Sequence, residues 1–477
     1  MKDSSLVKIL KTLSTREKTK FKEYIFSPII NKNLKIRKLA EYILSFAPHF
    51  ESNTFSRKNA FKVSFQEEGF RELSFNNVYS DLLQLLYDFL AFKEYQELKT
   101  WQKELQMRAL RRRELYEQVG RINKRFAQIQ KQSVFKSHEF YLTEYQRFDQ
   151  LDQLSMTKGK RGYDENLQLK NNHLDLFYFT NKLRIACDMY SRNTVVNAMY
   201  ECYFLDDIER EISFFAQTPA IQIYYKVLQM LRAKTDQGHY KKLILLLENN
   251  LQIFPPNELR TIYNYALNYC VKQINFGNSD YYQEILELYK VLLQEKIIFK
   301  NGYLTQWTYI NIIAAGIRLK NYDWTETFIH NYKEFLQPEN RDNVYGYNLA
   351  VLYFEQKKYD QALGQLMDIT FTDPFFHLSA KLIQLKCYYM LHETEALFSL
   401  AEASRQYISR NKQLSDYHKK SYNHFFKMAT KIHQLSLNAG IITENKLEKN
   451  RHKLQSQLQS LEPLANKGWL KDILMQI

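Results

Sequence analysis

Along residues 351–374 the chain reads VLYFEQKKYDQALGQLMDITFTDP, with apolar positions at helical spacing, a polar break at Gln356, Lys357 and Lys358, a restart at Tyr359 and a stop at Pro374. Apolar residues three and four apart line one face of a helix, so a break between two such faces predicts a helical hairpin. The same restart recurs at Tyr240, Tyr282 and Tyr322, and in weaker form from His392, at intervals of 34 to 42 residues. A drifting period of that length, with two amphipathic helices per unit, predicts an array of stacked helix pairs.

The pattern changes towards the N-terminus. Ser14 and Glu17 have the spacing of a capping box, which starts a helix that Ser27-Pro28 ends. Three further helices are expected near 34–46, 57–65 and 76–92, giving a helical module over 1–97. From Trp101 to Ile129 apolar residues recur in steps of four and three, a heptad seam that predicts one long basic helix over 98–133. Helices follow at 134–155 and 165–190, on either side of an exposed loop around Gly159 and Gly162. A hairpin is expected over 195–217 and further helices over 413–477. The array itself is placed at 134–412. Only 12 glycines and 8 prolines occur, too few to punctuate a set of strands, so the expected class is all-α.

The unit over 343–376 resembles a tetratricopeptide repeat. Small Ala350 and Tyr353 sit on its first helix, Tyr359 and small Ala362 on its second, and Leu366, Ile369 and Pro374 follow at matching offsets. Elsewhere the match loosens: Thr325 takes the small position after Tyr322. The likeness spans roughly 219–410 and implies a right-handed helical-repeat superhelix. It also implies a concave groove lined by the first helices. The positions so assigned are Trp307, Ile310, Ala314 and Arg318, then Tyr347, Val351 and Phe354, then Lys381, Leu385 and Tyr388. The first ~130 residues resemble the start of a broad group of bacterial proteins of about this length. That group carries no known activity.

Charge is uneven. Residues 1–200 carry 35 basic and 23 acidic side chains, residues 201–400 carry 19 and 23, and residues 401–477 carry 13 and 6. Within the long basic helix, Arg108, Arg111, Arg112 and Arg113 form a candidate anion site for phosphates or carboxylates, against the plainer reading of a solvated face. A winged-helix reading of the N-terminal module fails on charge, because 76–92 has no Lys or Arg to meet a phosphate backbone.

Cys187, Cys202, Cys270 and Cys387 are far apart, which predicts buried thiols in a reducing compartment, the cytoplasm. No apolar run reaches the ~18 residues of a membrane span, and no signal peptide is expected. The chain contains no HExxH, P-loop, GxGxxG or GxSxG pattern. No catalytic residue, cofactor or metal is therefore assigned. The expected function is a non-enzymatic protein-protein interaction scaffold with a protein or peptide in the groove. The alternative is a nucleic-acid-associated regulator that binds phosphates through its basic N-terminal half.

Overall fold

The structure, a computed structural model, describes the chain except residues 67–68, 158–161, 197–199, 234–237, 368 and 370–372. The described residues are all-helical, with 23 α-helices, three short 3-10 turns and no strand. They form two compact units, 1–225 with 245–254, and 226–244 with 255–477.

The first unit begins with α1 (Ser5–Thr12), α2 (Thr15–Phe26), α3 (Leu34–Leu44), α4 (Arg57–Phe65) and α5 (Glu72–Glu97). The capping box forms: the Ser14 hydroxyl accepts from the Glu17 amide at 3.3 Å, and the Ser14 amide donates to the Glu17 carboxylate at 2.7 Å. Lys93 on α5 pairs with the same carboxylate. The three groups together hold Glu17 well below the usual carboxylate range, at about 2. Phe21 and Phe89 meet in the core of this module, 5.3 Å apart.

The single helix expected over 98–133 is two helices, α6 (Lys99–Arg111) and α7 (Tyr116–Gln132). The chain turns between them at Glu114, which has φ 59°, and the Leu115 amide closes the turn by donating to the Leu110 carbonyl. Folding back buries Met107, Val119 and Phe126 in one cluster with Leu154. The proposed seam residues Trp101 and Leu105 stay exposed. Val119 and Phe126 therefore pack within the hairpin and against α8 (His138–Thr157) rather than along a coiled-coil partner.

Next, α8 lies along α9 (Glu165–Val196). Two of its polar groups are held by ion pairs: Arg147 forks onto Glu144, and Lys170 bridges Asp149 and Asp152. The loop expected at Lys158 to Arg161 lies outside the described residues. The hairpin expected over 195–217 is reduced to the end of α9, the short α10 (Leu205–Glu211) and a 3-10 turn over Ile212–Phe215. Two helices, α11 (Pro219–Arg232) and α12 (His239–Glu248), contribute to both units.

The second unit continues with α13 (Pro256–Asn275), α14 (Tyr281–Gln294), α15 (Gln306–Arg318), α16 (Tyr322–Asn331), α17 (Arg341–Glu355), α18 (Tyr359–Met367), α19 (Pro374–Met390) and α20 (Thr394–Arg410). It ends with α21 (Asp416–Asn438), α22 (Glu444–Ser460) and α23 (Lys467–Met475). Each restart in the sequence opens a second helix, so Tyr322 begins α16 and Tyr359 begins α18. Pro374 does not close α18 but opens α19, at a first-turn position where a missing N–H leaves no bond unmade, behind an Asp373 cap.

Between first and second helices the chain uses one recurrent turn. Gly277, Lys320, Lys357 and His392 all take positive φ, and the next amide bonds back five residues, as Asn321 does to Gly316 and Lys358 to Tyr353. This is a Schellman closure in which three of four left-handed positions are not glycine.

Small residues set how closely a pair can approach. Ala350 and Ala362 are both fully buried in one cluster. Where the second helix instead carries Thr325, the first carries Gly316, and a Cβ there would lie 2.2 Å from Thr325 Oγ1. That hydroxyl is held by a 2.7 Å bond to the Asn321 carbonyl, so it does not swing aside freely. Gly316→Ala should therefore lower stability by about 1–2 kcal/mol despite the better helix propensity of alanine. Adding Thr325→Ala should recover most of the loss. Urea denaturation of both variants measures this, and a neutral or stabilising single variant would remove the packing argument.

Candidate functional site

The assigned groove positions lie on α15, α17 and α19, and α17 packs against both of the others. Three of them come together. Ala314 and Arg318 on α15 and Val351 on α17 line a cleft of about 300 Å³, with Ile317, Lys320, Tyr322 and Glu355 completing its wall. Its lining combines apolar Ala314, Ile317 and Val351 and the Tyr322 ring with charged Arg318, Lys320 and Glu355. Two cations against one carboxylate leave an excess of positive charge.

On the same three helices aromatic side chains form a row. The Trp307 ring is 5.1 Å from Phe376, which is 6.4 Å from Tyr347 and edge-on to it. Trp307 is 53% exposed. Tyr347 is inside the row: burial, with a smaller push from Tyr422, moves its phenol up to about 12, against an opposing hydrogen bond with Ser379. Ile310 and Val351 are half-buried.

The α19 positions differ. Leu385 is fully buried in the core shared by α19 to α23, so it presents nothing to a groove. Lys381 donates to Gln384, which donates to the Tyr388 hydroxyl, so this trio is linked along its own helix. Phe354 faces Lys386, a residue not singled out in the sequence. Lys386 is 7% exposed. Its Nζ donates to Asn466 Oδ1 at 2.6 Å and lies 5.6 Å from the Phe354 ring centre and 5.5 Å from that of Trp469. The residues from α23 and its approach therefore cover this end of the row of first helices. Loss of hydration pushes the Lys386 ammonium down to about 8. Glu355 opposes the shift and Arg318 adds to it.

The signal for Lys386 was a lone cation inside the apolar run LIQLKCYYM. Lys320 and Glu355 were missed because both sit at helix ends, where periodicity no longer assigns a face.

The arginine cluster does not converge. Arg108 donates twice to buried Glu104, and Arg111 donates to Gln150 on α8. Arg113 caps its own helix on the Ala109 carbonyl, and Arg112 is exposed at the turn. Among the described residues no group of three or more His, Cys, Asp or Glu is placed to hold a metal, and no helix is long and apolar enough to cross a membrane. All four cysteines are free thiols. Cys187, Cys270 and Cys387 are buried as expected, whereas Cys202 is only half-buried.

The Lys386 environment has a pH consequence. Its pKa falls from an ordinary 10.5 to about 8 in the folded chain. Between those values the unfolded chain holds the extra proton, so folding gains stability as pH rises from about 8 towards 10.5. Lys386→Met should therefore be more stable relative to wild type at pH 7 than at pH 10. Parallel melts at the two pH values check this, and a difference that does not change with pH would show that the lysine is not desolvated.

No family model matches this chain, no curated protein matches it, and no solved structure matches it.

Proposed function

We propose that the second unit is built as a tetratricopeptide-like right-handed superhelix and that the protein is a non-enzymatic cytoplasmic scaffold. Its cleft between α15 and α17 holds a short peptide segment of a partner protein. Three features support the architecture: second helices opening at the recurrent tyrosine, the repeated left-handed turn, and first helices that pack on one another in series.

The observation that carries the function is the cleft, where Ala314, Arg318 and Val351 from two successive first helices surround an open space. An apolar anchor fits Ala314, Ile317 and Val351, and an acidic neighbour fits Arg318 and Lys320. The contacts of Asn466 and Trp469 at Lys386 limit the ligand to a few residues on the α15–α17 side. The phosphate-binding alternative finds less support, because Arg108 and Arg111 are already paired with groups of their own unit.

Selection from a random displayed-peptide library on the intact protein tests the proposal. Peptides with an apolar residue beside Asp or Glu should be enriched. Val351→Trp, which fills the cleft, and Arg318→Glu, which reverses one of its charges, should each weaken binding of a selected peptide by at least about tenfold, roughly 1.4 kcal/mol. Peptides that bind both variants as well as wild type would overturn the assignment.

A further inference from the structure

The α2–α3 connection presents an unusual surface. Ile29 is 93% exposed, and Ile30 and Leu34 are exposed beside it. The apolar tip is held in place rather than loose. The Ile30 and Asn31 amides both donate to the Ser27 carbonyl, and the buried Asn31 side chain donates to the Ile25 carbonyl at 3.2 Å and accepts from the Asn33 amide at 2.9 Å. Arg37 closes the base by donating to the Asn31 carbonyl. A turn tied down at this many points holds two isoleucines out in water, where each forfeits the gain of burial.

The surroundings are cationic. Residues 1–65 hold fourteen Lys and Arg against five Asp and Glu. Lys32 and Lys35 flank the tip and are exposed, with Lys35 Nζ 4.4 Å above the Phe65 ring. No acidic residue falls between Glu23 and Glu41. Exposed aliphatic side chains on a fixed turn, flanked by two lysines, match a surface whose interior is hydrocarbon and whose face is anionic.

We propose that this turn docks the protein on anionic lipid surfaces, with Ile29, Ile30 and Leu34 entering the interface and Lys32 and Lys35 meeting lipid phosphates. The contact is peripheral and reversible. Its chemistry differs from that of a groove for a protein segment, because Ile29 stands 93% exposed to solvent. Phosphate contact alone, as with nucleic acid, would use the lysines and gain nothing from the isoleucines.

Flotation of the full chain with vesicles tests the proposal. The protein should float with phosphatidylcholine vesicles containing phosphatidylglycerol and not with phosphatidylcholine alone, and added salt should weaken the association. Ile29→Ser with Ile30→Ser should reduce flotation at least tenfold with unchanged helical signal, since both side chains lie outside the close-packed core. Lys32→Ser with Lys35→Ser should have a similar effect. In an independent readout, Ile29→Trp should show a blue-shifted emission on adding the anionic vesicles. Three results would overturn the proposal: no flotation of wild type, undiminished flotation of the isoleucine variant, or an Ile29→Trp emission spectrum that the vesicles leave unchanged. Retention of duplex DNA that depends on the lysines but not on the isoleucines, without flotation, would transfer the surface to nucleic acid.

Discussion

Close approach between the helices of a pair is the constraint on which the second unit depends. Two helices can sit together over their length only where side chains at the crossing are small, and the chain meets this in two ways. Ala350 faces the cluster that holds Ala362, and Gly316 stands where Thr325 would otherwise collide. The aromatic rings beside these points, such as Tyr359 next to Phe354 at 5.5 Å, then fill the space the small residues leave open. With the pairs closed in this way, the first helices α15, α17 and α19 come into contact with one another, and their outward positions define the candidate cleft.

The same row of first helices is open at one end and covered at the other. On the α15–α17 side, Ala314 and Val351 face a space large enough for a few side chains. On the α19 side, Asn466 and Trp469 reach Lys386, and the lysine sits between two rings and donates to the Asn466 amide oxygen. A buried ammonium in such a setting opposes folding unless its partners hold it well. Glu355 and Arg318, which line the cleft, act on its charge in opposite directions.

Much of the architecture was legible because it rests on local pattern. The capping box at Ser14 and Glu17 and the tyrosine restarts at 322 and 359 are each written within a few residues. The hairpin at 112–115 was not legible, because its left-handed position is Glu114 rather than glycine and the heptad steps of Val119 and Phe126 fit a single long helix equally well. The role of Pro374 was misread for a related reason: a proline ends one helix and begins the next with the same local signal. At the site, Ala314, Arg318 and Val351 were assigned through the resemblance to tetratricopeptide repeats, by their places on the first helices. Leu385 was assigned in the same way but is buried in the core shared by α19 to α23, whose contacts neither the resemblance nor periodicity encodes.

Thiol reactivity tests the central claim, that closed helix pairs leave an open cleft between α15 and α17. Cys387 belongs to the cluster of Ala350 and Ala362, and burial pushes its thiol up to about 12, so it should be nearly inert. A cysteine placed by Ala314→Cys should react with iodoacetamide at close to the rate of a free thiol, at least about a hundredfold faster than Cys387 by site-resolved mass spectrometry. Fast labelling of Cys387 would show that the pairs are not closed. A protected thiol at position 314 would show that the cleft is filled by the protein itself.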